Sequence, residues 1–148
     1  MNDFEYMQLA IEQAKSAALL GEVPIGAVVV LDGRILSSAC NRTISDCDPT
    51  AHAEIVAIRE AARKISNHRL IGAWLYVTVE PCAMCAGALL QARIARLIYG
   101  ADEPKGGAVR TCMQVLDAPA LNHRVEVVSG VLAGDSVQLL QSFFAARR

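Results

Sequence analysis

Between Asp3 and Leu20, apolar side chains recur every three or four residues, at Phe4, Met7, Ile11, Ala14 and Ala18, with Glu5, Glu12 and Lys15 between them. The spacing predicts an amphipathic helix, closed by Gly21 just past its end. Ile25 to Leu31 is almost wholly apolar and β-branched, the pattern of a buried strand. Asp32-Gly33 then signals a hairpin, and Arg34 to Ala39 returns beside the first strand. Asn41 to Thr50 is polar and irregular, a loop leading to a second helix. Its start signals are Asp48-Pro49-Thr50, an oxygen-bearing cap with an early proline, and alanine-rich sequence continues to Lys64.

Further strands are expected at Trp74 to Val79, Ala95 to Tyr99 and Arg124 to Val128. A helix opens near Pro81, Ala101 to Thr111 reads as a glycine-containing loop, and Ala133 to Arg148 is a final helix with Leu139, Leu140, Phe143 and Phe144 on its apolar side. Strands alternating with helices imply a sheet covered on both faces, a three-layer α/β/α sandwich. No internal repeat, low-complexity run or linker rich in Pro, Gly or Ser divides residues 1–148, so one domain is expected.

Composition narrows the class. Apolar residues make up 53% of the chain. The most membrane-like stretch, Ile71 to Leu90, carries Glu80 and Pro81 at its middle, where a spanning helix would bear them badly. A buried strand followed by a buried helix fits it better, and no membrane association is expected. The N-terminus, with Asp3 and Glu5, lacks the order of a secretory signal. Five cysteines, two of them in Cys82-x-x-Cys85, suit a reducing cytoplasm rather than a disulfide framework. A net charge of −1 neither favours nor excludes a nucleic-acid partner. Arg59, Arg63, Lys64, His68 and Arg69, with Arg93 and Arg96 further on, read as solvated helix faces.

Two short stretches bear chemistry: His52-Ala53-Glu54 and Glu80-Pro81-Cys82-Ala83-Met84-Cys85. Taken alone, a Cys-x-x-Cys is a redox pair, half of a structural zinc knuckle or two core cysteines, and His-x-Glu at a helix start is usually a solvated face or a cap. Together they supply three metal ligands and a carboxylate not needed as a ligand. A catalytic zinc uses three protein ligands and leaves the fourth position for water, whereas a structural zinc is closed by four. No second Cys-x-x-Cys or His pair is present to close such a site. Cys40, Cys47 and Cys112 remain as fourth-ligand alternatives, each more simply a core or loop cysteine, and His123 is the further histidine that could lie near a pocket. His-x-Glu followed by Pro-Cys-x-x-Cys is the pattern of zinc-dependent nucleobase deaminases. Cys82 and Cys85, at i and i+3, would lie side by side near a helix N-terminus, where the dipole favours thiolate. Glu54 would move protons from an activated water to a ring nitrogen and then to the departing amine.

The segments Asp48 to Ile55 and Glu80 to Ala88 resemble those of bacterial tRNA-specific adenosine deaminases, within the cytidine deaminase-like superfamily. So do Glu22 to Val28, Asn41-Arg42, Gly100 to Asp102, Pro104 to Ala108, Asn122 to Arg124 and Phe143-Phe144. The resemblance implies a cytidine deaminase-like fold with a five-stranded mixed sheet, and a homodimer with one Zn2+ per subunit. It implies conversion of adenosine to inosine at the wobble position of a tRNA anticodon stem-loop, usually that of an arginine tRNA. His52, Cys82 and Cys85 would be ligands and Glu54 the proton shuttle. Asn41 would bind the flipped nucleoside, Ile25 would wall the base pocket and the backbone of Ala53 would meet the base, with Glu103 and Lys105 along the RNA path. This chain has Thr43 where the family commonly has proline, Arg110-Thr111 where it commonly has Gly-Ser, and Arg147-Arg148 where several relatives continue with a basic tail.

Two other readings compete. A deaminase of free guanine, cytosine or a nucleoside would use the same chemistry in a more enclosed pocket. A zinc-stabilised binding subunit would have little need of Glu54.

Overall fold

The computed structural model describes residues 1–148. The chain runs α1 (Asp3–Leu19), β1 (Gly26–Leu31), β2 (Arg34–Cys40), α2 (Ala53–Ile65), β3 (Trp74–Val79), α3 (Ala83–Ala92) and β4 (Arg96–Ala101). A single 3-10 turn at Val115–Asp117 precedes β5 (Glu126–Val128) and α4 (Ala133–Ala145). The strands form one sheet in the order β2-β1-β3-β4-β5. β1 is antiparallel to β2 and β3, whereas β3, β4 and β5 are parallel, so the sheet is mixed. Asp32 and Gly33 both lie in the left-handed region (φ 50 and 75), as a tight hairpin turn requires.

Alternation along the central strands builds the layers. Ala27, Val29, Leu75, Val77, Leu97 and Tyr99 share one core with Ala53, Ala57 and Ala61 of α2 and Ala86 and Leu89 of α3. The intervening Val28, Val30, Tyr76 and Ile98 point the other way, against Tyr6, Met7 and Ala10 of α1 and the approach to α4 at Val131 and Leu132. Helices therefore cover both faces, in the expected α/β/α sandwich. The Ile71 to Leu90 stretch is β3 and most of α3, and no helix is long and apolar enough to cross a membrane.

Four expectations need correction. The buried face of α1 is Tyr6, Met7, Ala10, Ile11, Ala14 and Ala17, so Phe4 lies in solvent. α2 starts at Ala53, not near Asp48-Pro49-Thr50. The Asp48 carboxylate is used instead in a local turn, accepting from the N–H and hydroxyl of Thr50 at 2.8 and 2.7 Å. On α4, Phe143 is buried while Phe144 stands out against its edge, and the helix ends at Ala145. Arg96 is not part of a solvated face. Its guanidinium makes two 2.9 Å bonds to Asp3 and lies over the Trp74 ring, tying the start of α1 to β4.

The parallel strands β3 and β4 end together, with the Glu80 N–H donating to the Ala101 carbonyl at 2.8 Å. α3 opens directly beyond β3. The candidate site lies at this carboxyl end of the sheet, where parallel strands leave a crevice.

Candidate active site

Two helix N-termini bring the ligands together. His52 and Cys82 are the N-cap residues of α2 and α3, both with extended backbone, and neither side chain caps its own helix. Cys85 follows in the first turn of α3. Nδ1 of His52 lies 3.6 Å from Sγ of Cys82 and 3.5 Å from Sγ of Cys85, and the three ligand atoms all fall within 4.8 Å of one another. One imidazole and two thiols on rigid helix starts suit zinc, a borderline-soft ion of tetrahedral preference, with one position left to a water or substrate.

The three ligand groups share protons with one another. The Cys85 thiol and His52 donate to the Cys82 sulfur, and against the penalty of burial they bring its pKa down to about 3. Cys85 is pushed upward, because its proton is the one that stabilises the Cys82 thiolate and because it is buried. His52 is raised by its bond to Cys82. Glu54, in the first turn of α2, is 4% exposed, and burial raises its carboxyl above the ordinary glutamate range. A raised carboxyl pKa approaches the operating pH, where a proton carrier works best.

A cavity of about 240 Å³ opens beside this group, lined by Val23, Ile25, Asn41, Thr43, His52, Ala53 and Glu54. The structure therefore gathers Ile25, Asn41 and Ala53 with two of the four cluster residues. The Asn41 N–H is tied to the Ile25 carbonyl at 3.1 Å, which fixes the backbone of two residues that line the cavity. Cys40, Cys47 and Cys112 lie outside the ligand group. His68 is on the surface, and His123 pairs with the Ile94 carbonyl at 2.7 Å, at the opposite end of β4. Lys105 is exposed, while the Glu103 carboxylate accepts from the Lys105 N–H at 2.9 Å.

Two buried carboxylates to which the sequence assigns no role anchor loops by hydrogen bonds, Glu22 behind the cavity wall at Thr43 and Glu80 two residues before Cys82. Glu80, 3% exposed, accepts from the N–H groups of Glu103, Val109, Arg110 and Thr111 at 2.9–3.1 Å and from the Thr111 hydroxyl. Burial would raise its pKa, but these donors outweigh it and hold it at about 2. The departure at Arg110-Thr111 is thereby accommodated: Thr111 supplies a hydroxyl, and the Arg110 guanidinium turns to the Ser129 hydroxyl and the Val127 carbonyl. Glu22, fully buried, holds the Thr43–Ser45 segment in the same manner. Only their place beside motif residues could have singled them out.

The MafB19-like deaminase family matches residues 1–148. A tRNA-specific adenosine deaminase of Haemophilus influenzae is 49% identical over 147 residues, covering 99% of this chain and 85% of its own. One from Agrobacterium fabrum is 49% identical over 97% of this chain and 94% of its own. A solved structure from studies of A-to-I editing by tRNA:A34 deaminases at the wobble position of transfer RNA superposes with a TM-score of 0.89, at 49% identity over 92% of this chain and 99% of that one. The guanine deaminase of Bacillus subtilis is more distant, with a TM-score of 0.68 at 31% identity over 99% of this chain and 94% of its own.

Proposed function

The chain belongs to the tRNA-specific adenosine deaminases, within the MafB19-like deaminase family, and on that footing we propose that it converts adenosine to inosine at the wobble position of a tRNA anticodon. The carrying observation is the buried Glu54 carboxylate beside the His52, Cys82 and Cys85 ligand group, at the floor of a cavity that stays open at its rim. His52, Cys82 and Cys85 would hold one zinc per chain. A zinc ion held there would lower the pKa of a bound water toward neutrality and so would supply the nucleophile for C6 of adenine.

The protein's own groups handle the protons and the substrate. Glu54 takes a proton from the water and delivers it to N1 of the ring; it then takes the proton left on the oxygen at C6 and gives it to the C6 amino group, which leaves as ammonia. The Asn41 amide orients the flipped nucleoside, Ile25 walls the base, and the Ala53 backbone meets the base edge. Glu103 and Lys105 sit on the approach for the flanking RNA.

We further propose that residues 1–148 act as one deaminase domain and that two copies assemble as a homodimer. α3 leaves Ala83, Met84, Gly87 and Ala88 exposed or half-buried, an apolar strip that a second copy would cover. Five free cysteines and an RNA substrate fit a reducing cytoplasm.

The test is inosine formation by zinc-loaded protein on an arginine tRNA anticodon stem-loop carrying wobble adenosine. Free adenosine, adenine, guanine and cytosine are run in parallel. We expect inosine in the stem-loop alone. Deamination of a free base with an untouched stem-loop would keep the zinc chemistry and overturn the tRNA assignment.

A further inference from the structure

The wall of the cavity at Thr43 is held by a side chain outside the ligand group. Gly21 ends α1 in the left-handed region, at φ 77. The N–H groups of Gly21 and Glu22 return to the carbonyls of Ala18 and Ala17 at 3.1 and 2.9 Å, the Schellman arrangement. Beyond that turn Glu22 enters the interior, and no lysine or arginine pairs with it. Its donors come from one stretch of chain. Oε2 accepts from the N–H and the hydroxyl of Ser45, both at 2.6 Å. Oε1 accepts from the Ile44 N–H at 3.2 Å and, at a long 3.5 Å, from the Thr43 hydroxyl.

Hydrophobic packing does not hold this segment, because Ile44 and Ser45 face solvent. Its other ties are local, among them Arg42 N–H to the Ala51 carbonyl at 2.9 Å, Cys47 N–H to the Ile44 carbonyl at 3.2 Å and Asp48 N–H to the Thr43 carbonyl at 3.1 Å. A buried carboxylate without a cation persists only when fixed donors satisfy it, so carboxylate and segment hold each other in one place. Burial would raise the Glu22 pKa; the bonds from Ser45, Ile44 and Thr43 outweigh it and keep the group charged. Thr43 lines the cavity together with Asn41 and Glu54.

We propose that Glu22 is a positioning residue for the substrate: by fixing Thr43–Ser45 it sets the cavity wall at Thr43 and governs how tightly the flipped nucleoside is held, without entering the chemistry. The identity of that nucleoside rests on the tRNA reading; the role of the wall does not.

Glu22→Gln keeps the shape of the side chain but sets an NH2 group against at least one N–H that the carboxylate accepts. At unchanged zinc content, KM for the stem-loop should rise about tenfold, with kcat at saturation within about threefold of wild type. Amide exchange at Ile44 and Ser45 should quicken. Ser45→Ala removes one donor at an exposed residue, should fold as wild type, and should raise KM by about two- to threefold. A fall in kcat at constant KM would place Glu22 in the chemistry and overturn the proposal. Unchanged KM in both variants, with faster exchange at Ile44 and Ser45, would leave a purely structural anchor and overturn it as well. Wild-type protein inert on the stem-loop would count against the tRNA reading alone, and the two variants would then be compared on whichever base or nucleoside the protein does deaminate.

Discussion

Glu54 lining the cavity, Glu22 behind its wall at Thr43, and Glu80 under the 103–111 loop are the same side chain at nearly the same depth, 4%, 0% and 3% exposed. Their chemistry diverges because their donors differ. Glu22 and Glu80 each receive hydrogen bonds from a folded-back loop, enough to outweigh burial and hold the carboxyl below its ordinary range. Glu54 has no such set of loop donors, and burial prevails, raising its pKa. Saturated with fixed donors, a buried glutamate is an anchor that gives up its charge with difficulty. Left beside an open cavity, it is a group that can take a proton and return it. Burial alone does not separate the two roles; the donor count does.

Replacing each in turn should separate them, and the largest effect falls on turnover. Glu54→Ala should lower kcat by about a thousandfold or more, while metal analysis still finds one zinc per chain. Undiminished activity would remove Glu54 from the mechanism. Cys82→Ala should also abolish activity, but by a different route. The imidazole and single thiol that remain do not make a three-ligand site, and zinc per chain should fall well below one. Full occupancy in that variant would refute the ligand assignment. The two variants look alike in an activity assay and opposite in a metal assay.

Glu80→Gln should invert the pattern, with stability lost before chemistry. The N–H groups of Val109, Arg110 and Thr111 converge on one carboxylate oxygen, and those of Glu103 and the Thr111 hydroxyl on the other. An amide cannot accept at both positions. Leaving such donors unpaired should cost about 3 kcal/mol, and for a chain of this size that lowers Tm by roughly 6–12 °C, as thermal denaturation would measure. A variant that melts like wild type would mean that the loop finds other acceptors.

The same distinction explains what the sequence made legible. Strand β3 was readable to the residue because Trp74 to Val79 is bounded by clear breakers, and the hairpin because Asp32-Gly33 has few other uses. The His52, Glu54, Cys82 and Cys85 constellation was readable because its ligand spacing is local within each helix start. The start of α2 was not, since Asp48 and Thr50 satisfy each other in a turn before the helix begins. Nor were the anchors: Glu22 meets donors more than twenty residues away, and Glu80 meets them up to 31 away. A glutamate in a run of apolar neighbours does not announce which distant N–H groups will meet it. Arg96 was misread for the same reason, its partner Asp3 lying 93 residues off.

The smallest effect to look for is in acid. The folded-state pKa of Glu22 lies below the value of 4.5 for an unperturbed glutamate. A depressed carboxyl contributes stability that is fully present above the unfolded pKa and is lost as pH falls through the folded one. Glu22→Gln cannot titrate at this position, so the stability gap between wild type and variant should be constant above about pH 5 and should narrow below pH 4.5. Protonation of the zinc ligands also weakens the protein in acid, but it does so in both proteins and cancels in the difference. Urea denaturation of the pair from pH 6 down to the acid limit of reversible folding would measure the gap. A gap that stayed constant across that range would mean that the Glu22 carboxyl titrates alike in the folded and unfolded protein, and a gap that widened in acid would mean that the folded state holds it protonated. In either case it would be no charged anchor, and the contrast with Glu54 would rest on Glu80 alone.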